Sequence, residues 1–413
     1  MHNIRRIIAK TLVTLSIATC VCTPVQYVGA ASYLADGEIL LADISSTDTS
    51  TQEKFMNLSP TIGSNESEKN ITWYSLIEGN AKVEVAKKTE NLEFPTEGVA
   101  TFEATSGASN LTDYYSNQAT ITGLEANTEY MYRVANQGEY SETYTFKTST
   151  DGAYSFLLAG DPQIGTGGVL NGVDGWKDTL EKASSLFPDA SFLLSAGDQV
   201  NTASSESEYT GYLTQSVLYS LASATTIGNH DSSSVAYNEH FNLPNEGEYG
   251  KTTAGSDYWF TYNDTLFMVI NTNNTSTAEH KAFMEEAMAL NPDAKWNVVT
   301  FHHSIYSVAS HATETSIINR REQLVPVFEE LGIDVVLMGH DHVYVRSYMM
   351  DGLNPVVETE NGQPLSSANA SDGILYVTVN SASGSKYYDI KNQEFEYAAV
   401  KSQERVPNIS NVE

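Results

Sequence analysis

The sequence predicts two folded units in series, an all-β sandwich followed by an α/β domain, behind a short export leader. Three observations carry this. Between Phe55 and Lys147, short alternating runs such as Ile71-Thr72-Trp73-Tyr74 and Ala81-Lys82-Val83-Glu84-Val85 recur between Gly, Asn and Ser residues. Beyond the polar hinge at 147–152, apolar runs alternate with helix-like stretches, the grammar of an α/β domain. Ahead of both, Arg5, Arg6 and Lys10 precede an apolar run from Thr11 to Cys22, and Val28-Gly29-Ala30 fits a small-residue cleavage site.

Residues 1–30 therefore read as a signal peptide cleaved after Ala30, which predicts a secreted or cell-surface protein with no transmembrane segment in the mature chain. Both cysteines, Cys20 and Cys22, lie in this leader, so disulfides and thiolate metal ligands are excluded from the mature protein. The chain of 413 residues carries 22 Lys and Arg against 52 Asp and Glu, a net charge of −30. That balance leaves no basic face for nucleic acid and is compatible with cation binding. Residues 31–52, rich in Ser, Thr and Asp, read as a loose lead-in.

The β-module spans 53–148. Leu124 stands six residues before Tyr130, and alternation follows it through Val134, the pattern of a tyrosine corner in a sandwich of the immunoglobulin type. Trp73 is the expected buried aromatic of the facing sheet. The module resembles a fibronectin type III domain, and with no His or Cys between 53 and 148 it offers no catalytic chemistry.

The domain from 152 to 413 has strand candidates at 154–159, 191–196, 224–227, 266–270, 296–301, 334–338 and 374–379. Helix candidates lie at 176–186, 208–221, 277–290 and 322–331, the third opened by Thr277 and Glu279. In such domains ligands collect beyond the carboxyl ends of strands. Five strand candidates end in residues able to bind metal: Gly160-Asp161-Pro162-Gln163, Gly197-Asp198-Gln199-Val200-Asn201, Gly228-Asn229-His230-Asp231, His302-His303, and Gly339-His340-Asp341-His342. Five of the nine histidines fall in the last three of these places. Each piece alone reads as a turn or helix cap, but scattered solvated polar residues would not keep landing at strand ends. His240 and His280 fit no such place and are expected on the solvent side. Residues 406–413 read as the start of a strand that the chain does not complete, through truncation or as a short edge.

In this order the five blocks, with Val299-Thr300-Phe301-His302 as the fourth, resemble those of the calcineurin-like metallophosphoesterases, and the β-module in front resembles the purple acid phosphatase branch. The resemblance implies a four-layer fold in which two mixed β-sheets, flanked by helices, carry two metals at one edge. It implies a first divalent ion held by Asp161, Asp198 and His342, and a second held by Asp198, Asn229, His302 and His340, the metals being Fe, Zn or Mn. It implies hydrolysis of small phosphate monoesters by a metal-bound hydroxide, with His230 touching the phosphoryl oxygens and protonating the leaving group. Asp231 would orient that imidazole, and His311 would contact substrate. Gln163 stands where many relatives place a metal-binding histidine; Gln163, Asn201 and His303 are candidates for a further ligand or a supporting role. The purple enzymes carry a tyrosine three residues after the bridging aspartate, and here that residue is Asn201, which predicts a colourless protein with two divalent ions. A phosphodiesterase or nucleotidase on the same scaffold is the alternative. A surface binding protein with a vestigial catalytic domain is the alternative of another class.

Overall fold

The computed structural model describes residues 17–21, 53–91, 93–149, 152–365, 367 and 372–413. The lead-in lies outside the described residues, as does the leader apart from its Ile17–Val21 segment.

Two strand layers form the larger domain. In the first, Phe156–Ala159, Leu193–Ser195 and Ser223–Thr225 run parallel, and Asn408–Val412 pairs antiparallel with the first of them. The closing segment read as unfinished is thus a buried five-residue strand. Ile17–Val21 pairs antiparallel with its other edge. In the second sheet Thr265–Val269, Trp296–Phe301, Val335–Met338 and Leu375–Thr378 run parallel, with Tyr258–Tyr262, Tyr344–Ser347 and Ala398–Ser402 added antiparallel.

Side-chain alternation explains the four layers. Phe267, Val298, Val335 and Leu337 turn inward to the core shared with Phe156, Leu158 and Leu194 of the first sheet. Their neighbours Leu266, Met268, Val299, Val336 and Met338 turn outward, onto Phe283, Met284, Leu324, Val325 and Phe328 of helices Thr277–Leu290 and Thr315–Leu331. Strands buried on both faces read as unbroken apolar runs, which is why the sequence announced them. Phe156 and Phe192 stack at 5.0 Å, Phe260 and Phe267 at 4.7 Å, and Phe267 meets Phe156 edge-on at 5.5 Å. These rings interlock the sheets, each pair adding about 0.5–1.5 kcal/mol beyond its buried area.

Helix Thr277–Leu290 begins and ends where expected, its N-cap Ser276 accepting from Glu279 N. Thr315–Leu331 starts earlier than expected because its first turns are mostly exposed, and Pro326 is accommodated on the exposed face. The stretch expected as one helix at 208–221 is Glu206–Leu213 followed by the 3-10 turn Ser216–Tyr219.

The β-module is a sandwich of Phe55–Ile62, Lys69–Ser75, Tyr115–Ile121 and Thr105–Ala108 against a sheet built on Lys82–Lys87 and Glu129–Asn136. Trp73 is fully buried, and the Tyr130 hydroxyl accepts a bond from Glu125 N at 2.8 Å, a tyrosine corner. The module is not a detached bead. Thr61 pairs with Ser223, so its sheet continues the first sheet of the larger domain. The Tyr74 hydroxyl reaches Glu239 at 2.5 Å, and the Thr72 hydroxyl donates to His240 O at 2.6 Å. Among the described residues no helix is long and apolar enough to cross a membrane.

Candidate metal centre

All five blocks meet at the carboxyl ends of their strands. Two glycines make the approach possible. A Cβ on Gly228 would collide with Asp198, and one on Gly197 with the His302 ring. Asp161, Gln163, Asp198, His340 and His342 all have positive φ, between 38° and 73°. Such non-glycine conformations cost roughly 1–3 kcal/mol each and persist where the surroundings over-determine them, typically at functional sites.

His302 is the hub. Its Nδ1–H donates to Ala196 O at 2.9 Å, which turns the Nε2 lone pair inward. Around Nε2 converge His340 Nδ1 at 3.0 Å, Asn229 Oδ1 at 3.1 Å and Asp198 Oδ2 at 3.3 Å. Four atoms able to ligate a metal thus crowd one point. Ligand atoms set tetrahedrally around an ion at ~2.1 Å stand ~3.4 Å apart, so this spacing fits a transition-metal ion. Beside it, His342 Nδ1–H donates to Lys386 O at 2.8 Å, and its Nε2 lies 3.6 Å from Asp161 Oδ1. Gln163 Oε1 is buried without a donor while its amide nitrogen reaches Asn201 Oδ1 at 3.3 Å. An orphaned carbonyl oxygen beside Asp161 is a further sign that the donor set suits a cation.

Electrostatics agree. Burial pushes the Asp161 carboxyl well above the usual range and Asp231 up to about 7. Burial also works against charge on Asp198, but the neighbouring His302 outweighs it and leaves the carboxyl at about 2. His302 itself, despite burial, is raised to about 9 by Asp198 and Asp161. Burial holds His303 and His340 well below their ordinary value and His342 at about 4. His303, His340 and His342 are thus held neutral, the state in which imidazole ligates metal. His302, kept protonated by the carboxylates in the metal-free protein, must give up its proton to an ion.

His230 stands at the mouth. Its Nδ1–H donates to Asn201 O at 2.7 Å and its backbone N–H to Asp198 Oδ1 at 2.9 Å. The orienting role expected of Asp231 is corrected by this geometry. Asp231 is fully buried, accepts from Gly228 N at 2.8 Å and Val200 N at 3.4 Å, and ties the turns of Gly228 and Asp198 together. The imidazole is oriented by Asn201, and Asn201 by Glu208, whose carboxylate accepts from Asn201 N at 2.9 Å and Thr202 N at 2.6 Å. His311 lies against His340 with ring centroids 4.3 Å apart and donates its backbone N–H to Asp341 Oδ1. His303 is buried, with Nδ1 at 2.8 Å from the Thr272 hydroxyl.

His240 and His280 are buried, contrary to expectation, because each meets a carboxylate, Glu206 at 2.9 Å and Asp257 at 2.7 Å. Glu208 and Asp341 are the supporting residues sequence reasoning passed over. Asp341 was visible inside Gly339-His340-Asp341-His342, whereas nothing local marks Glu208.

Residues 154–344 match the calcineurin-like phosphoesterase family. Residues 56–148 match the purple acid phosphatase N-terminal domain. The chain is 34% identical over 96 residues to purple acid phosphatase 17 of Arabidopsis thaliana, covering 23% of this chain and 26% of that protein. It is 23% identical over 325 residues to an uncharacterized protein of Mycobacterium tuberculosis, covering 68% of this chain and 60% of the relative. The match thus spans less than two thirds of these relatives' own length. The fold is similar to a purple acid phosphatase from yellow lupin (Lupinus luteus) seeds, with a TM-score of 0.66 at 16% identity over 84% of this chain and 68% of that one. It is also similar to PhoD, with a TM-score of 0.50 at 15% identity over 78% of this chain and 76% of that one.

Proposed function

We propose that this protein is an exported phosphoesterase that hydrolyses small phosphate monoesters at two divalent metal ions. The observation that carries this reading is the convergence of Asp198, Asn229 and His340 on His302 Nε2, with a non-ligating histidine, His230, beside them. Asp161, Asp198 and His342 would hold one ion and Asp198, Asn229, His302 and His340 the other. Such a pair supplies Lewis acidity and lowers the pKa of the water that attacks phosphorus.

The chain's own groups do the rest. Neutral Asn229 limits the ligand charge, so the centre stays electropositive toward a phosphate dianion. His230, held by Asn201, presents Nε2 to the phosphoryl oxygens and delivers a proton to the departing alkoxide. His311, seated over His340, lines the opposite side. Asn201 in place of a tyrosine supports a centre of two divalent ions without a charge-transfer colour.

The charged start and apolar run support export with cleavage after Ala30. In the uncleaved chain Ile17–Val21 occupies the edge of Asn408–Val412. Cleavage therefore frees that edge, and N-terminal sequencing of secreted protein reads the outcome. The functional test is metal analysis coupled to hydrolysis of an aryl phosphate monoester and the matching diester. Stoichiometric metal with a preference for the monoester is expected. A metal-free, inert protein would sink the reading, and a preference for the diester would transfer it to a phosphodiesterase.

A further inference from the structure

We propose that Lys386 is a substrate-contacting residue of this centre, a third cation that favours phosphate monoesters over diesters; the inference rests on the phosphoesterase reading. The loop that carries it is pinned to the first ligand turn. The Ser381 hydroxyl donates to Asp161 O at 2.9 Å, the Ser385 hydroxyl to Pro162 O at 3.1 Å, and Ser383 also bonds Pro162 O. The Lys386 carbonyl then accepts from His342 Nδ1. The lysine is thereby placed at the rim beside Asp161 and His342.

Its ammonium is not consumed there. Lys54, Lys87, Lys88, Lys251 and Lys281 all reach carboxylates, but among the described residues no ion pair includes Lys386. Instead Nζ lies 4.7 Å from the centroid of the Tyr388 ring. That ring stands edge-on to His342 at 5.1 Å and to His311 at 5.3 Å. An aromatic face steadies an ammonium without neutralising it. In a chain of net charge −30, a half-buried lysine without an ion pair, held over a ring that itself contacts two site histidines, retains its charge for an anion.

A phosphate monoester dianion gains about twice as much from that charge as a diester monoanion at the same distance. A charge-assisted hydrogen bond to phosphate corresponds to roughly a 10- to 100-fold change in affinity. The test uses metal-loaded wild type, Lys386→Met and Lys386→Arg. It reads the Kd of inorganic phosphate by calorimetry, kcat/KM on 4-nitrophenyl phosphate and its bis ester, and metal content. Lys386→Met should keep its metal, weaken phosphate by roughly 10- to 100-fold, and lose about twice as many decades on the monoester as on the diester. Lys386→Arg should stay close to wild type. An unchanged phosphate Kd and monoester-to-diester ratio in Lys386→Met, or equal losses in both variants, would overturn the role. Wild type without metal or turnover would overturn the phosphoesterase reading itself.

Discussion

Replacing His230 by alanine separates proton delivery from metal binding. The imidazole makes one hydrogen bond, from Nδ1–H to Asn201 O, and is only partly buried. Losing that bond costs about 0.5–1.5 kcal/mol, so the variant should fold and melt close to wild type. The contact to Asp198, a proposed ligand, comes from the backbone N–H and survives the substitution. Metal content should therefore be unchanged. What disappears is the proton for the leaving group, worth roughly 10²- to 10⁴-fold in rate, or about 3–5 kcal/mol. The loss should be largest on an alkyl phosphate, whose alkoxide cannot leave unprotonated, and smaller on 4-nitrophenyl phosphate, whose phenolate leaves unaided. Steady-state kinetics on both esters, with metal content on the same samples, reads this directly. Equal losses on both substrates, or full activity on the alkyl ester, would refute the acid role.

Glu208→Ala should lower kcat with little change in metal content, because Asn201 and Thr202 lose the carboxylate that fixes the carbonyl holding His230; kinetics and metal analysis on one sample check this. His280→Leu leaves Asp257 buried without its ionic partner and should cost about 3–5 kcal/mol by urea unfolding. Burial opposes the charge on His280, but the Asp257 bond raises its pKa, so its contribution is fully present below ~6.5 and fades as pH rises through the folded value. The stability gap between wild type and His280→Leu should accordingly narrow toward alkaline pH. Phe267→Ala removes the ring that joins the two sheets and should cost about 3–5 kcal/mol by the same assay. Purified, metal-loaded wild type should show no visible charge-transfer band, and a visible band would contradict the reading of Asn201.

Sequence reasoning reached the five blocks that converge in the fold because strand ends concentrate them. Trp296–Phe301, followed by His302, was legible to the residue, being buried on both faces and closed by a change of chemistry. Tyr344–Ser347 and Ala398–Ser402, antiparallel and partly polar, carry no such contrast. The burial of His240 and His280 could not be read, since their carboxylates stand 34 and 23 residues away in sequence. The role of Asp231 was misread for a related reason. Adjacency to His230 suggested a pair, whereas the fold turns the two side chains to different partners, Asn201 O for one and Gly228 N for the other. The strained backbones of Asp161, Asp198, His340 and His342 are visible only once the fold brings the turns together.

The central claim is a pair of metal ions sharing Asp198, and anomalous diffraction from metal-loaded crystals tests it most directly. Two peaks ~3.5–4 Å apart are expected. One should lie against Asp161 and His342, the other against Asn229, His302 and His340, with Asp198 between them. A single peak, or peaks away from these residues, would contradict it.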